Sequence, residues 1–193
     1  YHYIKAFKSL TYCIENANDG NEDFKSRVMR YLVPLNILMG EYPEDKLLEE
    51  HKLQVYKDIS TASNEGNLSL FEQALSQNEE IFLKTGIYLV LEKLKNVVYR
   101  NFFQDNNNSH IIKLDLIVKE FNKTKEETKK TNESKDKGEE DKDSDESDEE
   151  MSTTGIEWIL AGLIYKGFIK GYISHEKGLL VLSKKEAFPP LKT

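Results

Sequence analysis

Leu163-Ile-Tyr-Lys-Gly-Phe-Ile-Lys-Gly-Tyr-Ile-Ser-His-Glu-Lys-Gly-Leu-Leu-Val-Leu-Ser183 is the stretch where the periodicity of the chain changes. Upstream of it, Ile156, Ile159, Leu160, Leu163 and Ile164 keep a helical spacing of 3.6 residues that Gly167 ends, with Ser152 or Thr153 as the cap. Within it the period becomes two. Ile169 and Ile173 fall on one side of Phe168 to Ser174, and Lys170, Tyr172 and Ser174 on the other. A turn at His175-Glu176-Lys177-Gly178 leads to a second strand, Leu179 to Ser183, and Gly178 suits a left-handed turn residue.

Working back, Ile111, Leu114, Ile117, Val118 and Phe121 give one short helix over 110–121. Helix, helix and a two-stranded ribbon is the order of a winged helix. Between its two helices lies a segment with no apolar residue: residues 123–150 hold 13 acids against 7 bases, a net of −6 in a chain whose total is −7. Such a run has nothing to bury and reads as a solvated insertion. Loop closure costs grow only logarithmically, so a turn accepts it. The other 165 residues are near neutral and roughly 45% apolar, an ordinary globular fraction.

Upstream of 103 the pattern is helical throughout. Tyr3, Phe7, Leu10 and Ile14 form one stripe, and Phe24, Val28, Tyr31, Leu32 and Leu35 the next. Pro43-Glu44-Asp45 reads as a helix start, and Leu53, Tyr56 and Ile59 lie in a helix stopped by Gly66. Asn67 caps a helix through Leu68, Phe71, Leu75 and Phe82, and a long one follows from Ile87 to Phe102. Five or six helices with short loops predict stacked antiparallel pairs. The expected organisation is a helical-repeat part over 1–105, a winged-helix part over 106–121 and 151–187, an acidic disordered insertion over 122–150 and a tail over 188–193. The start at Tyr1, inside an amphipathic pattern, reads as that of a fragment.

Several function classes lose support. There is no window of 18 apolar residues and no leader pattern at the start. Cys13 has no partner for a disulfide, which fits a reducing compartment. His2, His51, His110 and His175 are far apart, and Gly162, Gly167 and Gly171 follow no strand, so neither a metal-ligand set nor a phosphate loop is expected. The reading is non-enzymatic, with no cofactor.

Nucleic-acid contact is read from the last 43 residues, where Lys166, Lys170, Lys177, Lys184, Lys185 and Lys192 face only Glu157, Glu176 and Glu186. Lysines without arginines track phosphates and do not read bases. The competing reading is that they protect strand edges. Tyr172 is the aromatic candidate on the Lys170 side. Trp158 and Tyr165, seven residues apart, flank the apolar stripe and, with Phe168 and His175, are candidates for a partner interface; a core edge and base stacking are the alternatives. Ser147, followed by Asp148, Glu149 and Glu150, is a candidate for an acid-directed kinase.

Three blocks carry a resemblance: Tyr31 to Gly40; Gly86 to Lys95 with Tyr99-Arg-Asn101; and Leu163 to His175 with Val181 to Lys184 and Phe188-Pro-Pro-Leu191. They resemble the PCI domain, stacked helix pairs ending in a winged helix, and within it the PCI subunit of the nuclear transcription-and-export complex. Signalosome, proteasome-lid and translation-initiation scaffolds share the layout. The resemblance implies a non-catalytic adaptor in messenger RNA export, in the nucleus in association with the nuclear pore and also in the cytoplasm. It would pair with a larger PCI scaffold subunit, carry a small acidic disordered protein and bind RNA or DNA without sequence specificity. The alternatives are a signalosome- or lid-type scaffold without nucleic acid, and a winged-helix transcription regulator. The apolar second helix counts against the latter, because major-groove reading needs Arg, Asn or Gln.

Overall fold

The computed structural model describes residues 2–17, 21–105, 109–133 and 150–191. They fall into two units, one spanning Tyr1–Asn106 and taking in Pro190–Thr193, the other spanning Asn107–Pro189.

The first unit is helical: α1 (His2–Glu15), α2 (Glu22–Leu38), α3 (Asp45–Glu50), a 3-10 turn (Gln54–Tyr56), α4 (Lys57–Glu65), α5 (Leu68–Gln77), α6 (Glu79–Thr85) and α7 (Tyr88–Asp105). Helix α7 packs against α2, α4, α5 and α6, and α1 packs on α2. The core contains Val33, Ile37, Leu48, Ile59, Phe71, Leu91, Leu94 and Phe103, all buried, with Tyr56 stacked on Phe82 at 5.7 Å.

Local chemistry sets the boundaries. Asn21 and Asn67 each accept an N–H three residues on, from Phe24 and Leu70, and so cap α2 and α5. Helix α3 begins at Asp45, so Pro43 precedes the helix instead of sitting in its first turn. The helix expected from Leu68 through Phe82 is broken at Asn78, which is both the end of α5 and the cap position of α6 and turns its amide back onto the Ala74 carbonyl (2.9 Å). Inside α2, Pro34 has no N–H to offer the carbonyl of Arg30. The Tyr56 hydroxyl donates to that carbonyl at 2.9 Å and replaces the lost bond.

The block Tyr99-Arg-Asn101 has a structural role. Asn101 Nδ2 donates to the Ser63 carbonyl (2.7 Å) and to the Tyr42 hydroxyl (2.9 Å), while Arg100 Nη1 donates to Asn101 Oδ1 and Gln104 Oε1 (both 2.8 Å). These bonds hold the end of α4 against α7. Burial pulls the Arg100 guanidinium below its usual pKa and pushes the Tyr42 phenol above its own.

The second unit is a winged helix: β1 (Ile111–Lys113), α8 (Leu114–Glu133), α9 (Thr153–Tyr165), β2 (Gly171–Ser174) and β3 (Leu179–Leu182). The sheet is antiparallel with order β1-β3-β2. Three expectations are corrected here. The ribbon is a three-stranded sheet, because Ile111 and Ile112 pair with β3 instead of forming the first turn of a helix. The first wing strand starts at Gly171, not Phe168. And the first helix does not stop at 121 but runs to Glu133, through a stretch of Lys and Glu whose helix propensity is good even without an apolar stripe.

Ile112, Leu114, Ile117, Phe121, Ile156, Leu160, Leu163, Ile169 and Leu180 form the core of this unit. Ser152 caps α9 by accepting from the Gly155 N–H (3.1 Å), and Gly178 turns the wing at φ +59°. Asn122 pairs with the backbone of Met151 in both directions, Met151 N–H to Oδ1 (2.9 Å) and Nδ2 to the Met151 carbonyl (3.2 Å).

Candidate functional site

The register of the sheet sorts its side chains. Ile111, Val181 and Tyr172 stand side by side on one face, and Ile112, Leu180 and Ile173 on the other. The second row is the buried one, with Leu180 fully covered. The first row faces solvent: Ile111 and Tyr172 are both more than half exposed. The outer face of the sheet therefore presents an apolar row.

The lysines are not equivalent. Lys170 is in a salt bridge with Glu186, so its charge is offset and it does not sit beside Tyr172 as a free cation. Its backbone joins the start of the wing to the segment after β3, with its N–H on the Ala187 carbonyl and its own carbonyl accepting from the Ser183 N–H (both 2.8 Å). Lys166 is exposed just after α9. Lys177, at the wing turn, and Lys184 and Lys185, after β3, are exposed and make no ion pair among the described residues.

Of the four residues assigned to a partner interface, Trp158 and Tyr165 are 77% and 92% exposed, which removes the core-edge alternative. Phe168 is half-buried, its N–H bonded to the Leu163 carbonyl at 2.9 Å. His175, at the wing turn, is exposed and also makes a contact with α9. Its Nδ1 lies 2.9 Å from both carboxylate oxygens of Glu157, which ties the wing turn to α9. This pair was invisible in the sequence, where the two residues are 18 positions apart. Ser147 lies outside the described residues.

Among the described residues no group of three or more His, Cys, Asp or Glu is placed to hold a metal ion, and no helix is long and apolar enough to cross a membrane. No protein-family model matches the chain. Individual proteins do. The chain is 34% identical over 196 residues, 99% of its length, to PCI domain-containing protein 2 of Xenopus laevis, and 36% identical over 188 residues, 96% of its length, to the protein of the same name from Danio rerio.

The chain belongs to the PCI-domain family.

A further relative, Protein CSN12 homolog of Mycosarcoma maydis, is 34% identical over 173 residues, 86% of this chain and 36% of that protein. This PCI-domain chain spans about two fifths of the curated relatives it matches, 43% of the Xenopus protein and 41% of the Danio protein. Stacked helices followed by a winged helix are what the family assignment requires, and the sheet face and the wing lysines are the exposed chemistry that this scaffold presents.

Proposed function

We propose that this chain is a non-catalytic scaffold subunit of a nuclear messenger RNA export complex, in which its winged helix contacts both a larger PCI subunit and nucleic acid. The observation that carries the reading is the division of the winged-helix surface. The apolar row Ile111, Val181 and Tyr172 suits a protein partner, because contiguous exposed apolar side chains on a folded unit mark interaction sites. Lys177, Lys184 and Lys185 supply cations for a phosphate backbone, with no arginine to read bases. Tyr172 thereby joins the protein-facing row in place of the nucleic-acid set. A small acidic disordered protein completes the proposed assembly.

Isolation of the tagged chain from cells, followed by mass spectrometry, tests this. Recovery of a large PCI protein, a small acidic protein and RNA is the expected result. Recovery of signalosome subunits without RNA would replace it with the second reading, a signalosome-type scaffold, which the likeness to Protein CSN12 homolog favours.

A further inference from the structure

The outward face of α9 is not explained by the fold. Thr154, Trp158, Ala161 and Tyr165 recur at steps of four, three and four residues, so they lie along one side of the helix, and all are exposed. A solvent-facing stripe ordinarily carries charged side chains. This one carries none, because the one charged residue of α9, Glu157, has a side chain only 17% exposed and engaged with His175.

Two features narrow what covers the stripe. The first is area. A large aromatic side chain buries about 150–250 Å², so Trp158 and Tyr165 together offer about 400 Å², half of the roughly 800 Å² that each partner contributes to a stable protein interface. The second is charge. The His175–Glu157 contact ties the wing turn, which also carries Glu176 and the exposed Lys177, to the residue before Trp158. At the other end Lys166 follows Tyr165 directly. Two exposed aromatic residues whose backbone positions are about 10.5 Å apart along the helix axis, with Lys166 directly after one and the lysine-bearing wing turn tied to the residue before the other, match the way single strands are held: bases stack on the rings while phosphates track the cations. Gly162 keeps the space between the rings open, since a Cβ there would meet nothing within 4 Å. A duplex has no unstacked base to offer, and α9 has no Arg, Asn or Gln with which to read one from a groove.

We propose that Trp158 and Tyr165 form a stacking platform for single-stranded nucleic acid. The inference rests on the nucleic-acid half of the proposed function and specifies its ligand. Trp158 is the single tryptophan of the chain, so its fluorescence reports on the platform directly. The 193-residue chain is titrated with oligo(U), oligo(dT) and a duplex of matched length. Quenching by the single strands and not by the duplex is expected, with the ratio of oligo(U) to oligo(dT) affinity separating RNA from DNA as the preferred source. Trp158→Ala and Tyr165→Ala should each weaken single-strand binding roughly 5- to 150-fold, while Trp158→Phe retains most of it and circular dichroism is unchanged. Single-strand binding that needs Lys177 but leaves both the fluorescence and the Ala variants unaffected would overturn the platform and spare the nucleic-acid reading, leaving the aromatic pair to a protein. No binding of any nucleic acid would overturn both.

Discussion

Gly66→Ala tests the packing of α4 on α7. Gly66 closes α4 with φ +65° and ψ 23°, a conformation that costs a residue with a Cβ about 1 kcal/mol. The larger effect is steric. A Cβ at this position would fall 2.3 Å from Phe102 N, 2.6 Å from Phe102 Cα and 2.9 Å from the Asn101 carbonyl carbon. These are backbone atoms of α7, so no side-chain rotation relieves the clash. Ordinary contact needs about 3.5–4 Å, which requires the two helices to separate by on the order of 1 Å against the Asn101 to Ser63 hydrogen bond. Overpacking of this kind costs about 1–3 kcal/mol, for a total of about 2–4 kcal/mol. Gly86 is the matched control: it closes α6 at φ +71° but has nothing within 4 Å of its would-be Cβ, so Gly86→Ala carries the conformational cost alone. Urea unfolding followed by far-UV circular dichroism measures both, and Trp158 fluorescence reports separately on the winged-helix unit. Equal losses for the two variants would refute the close approach of α4 to the α7 backbone.

Nucleic-acid affinity measured against salt should fall uniformly across sequences in Lys177→Ala and Lys184→Ala, each lowering the salt slope by about one, with little change in Lys170→Ala because Glu186 offsets that charge; Glu186→Gln should tighten binding, and loss confined to one sequence would contradict phosphate tracking. Asn122→Ala removes both bonds to Met151 and should destabilise the winged-helix unit by about 1–2 kcal/mol, read as a lower melting point in Trp158 fluorescence. Tyr56→Phe leaves the Arg30 carbonyl without the hydroxyl that replaces the proline's missing N–H, at a cost of about 1–3 kcal/mol. Burial holds the Tyr56 pKa well above its ordinary value near 10, so the unfolded chain loses this proton first and stability falls as pH rises beyond about 10. The Phe variant should therefore show a shallower alkaline decline, and an unchanged decline would mean that Tyr56 contributes nothing to it.

The sequence was most readable where one local rule governed. Gly66, Asn67, Ser152 and Gly178 act through bonds or dihedrals within a few residues of themselves, and each does in the structure what its type predicts. The two-residue period after Gly167 marked the wing for the same reason. What escaped was set by residues distant in the chain. Strand β1 has only three residues, and its pairing with β3 is a hydrogen-bond ladder between positions about 70 apart, so Ile111 looked like one more residue of the helical stripe. Charge counting treated Lys170 as equivalent to Lys177, although Glu186 engages the first, and the His175–Glu157 contact joins residues 18 positions apart. The aromatic stripe was visible as a spacing, but its exposure depends on which side of α9 meets α8 and the sheet, and residue types alone do not settle that. The break at Asn78 has neither glycine nor proline to announce it.

The pair of hydrogen bonds between Asn122 and Met151 acts as a clasp across the base of the acidic insertion. The buried residues of the winged helix that the structure describes, from Ile112 to Phe121 and from Ile156 to Leu182, all lie outside residues 123–150, so Asn122 and Met151 hold together the two points from which the acidic sequence departs. Helix α8 carries the backbone about 16 Å beyond the clasp before it ends at Glu133. For an experimenter, the clasp marks the acidic sequence between its two halves as the place to splice a reporter or an affinity handle, since the bonds that join Asn122 to Met151 are left in place.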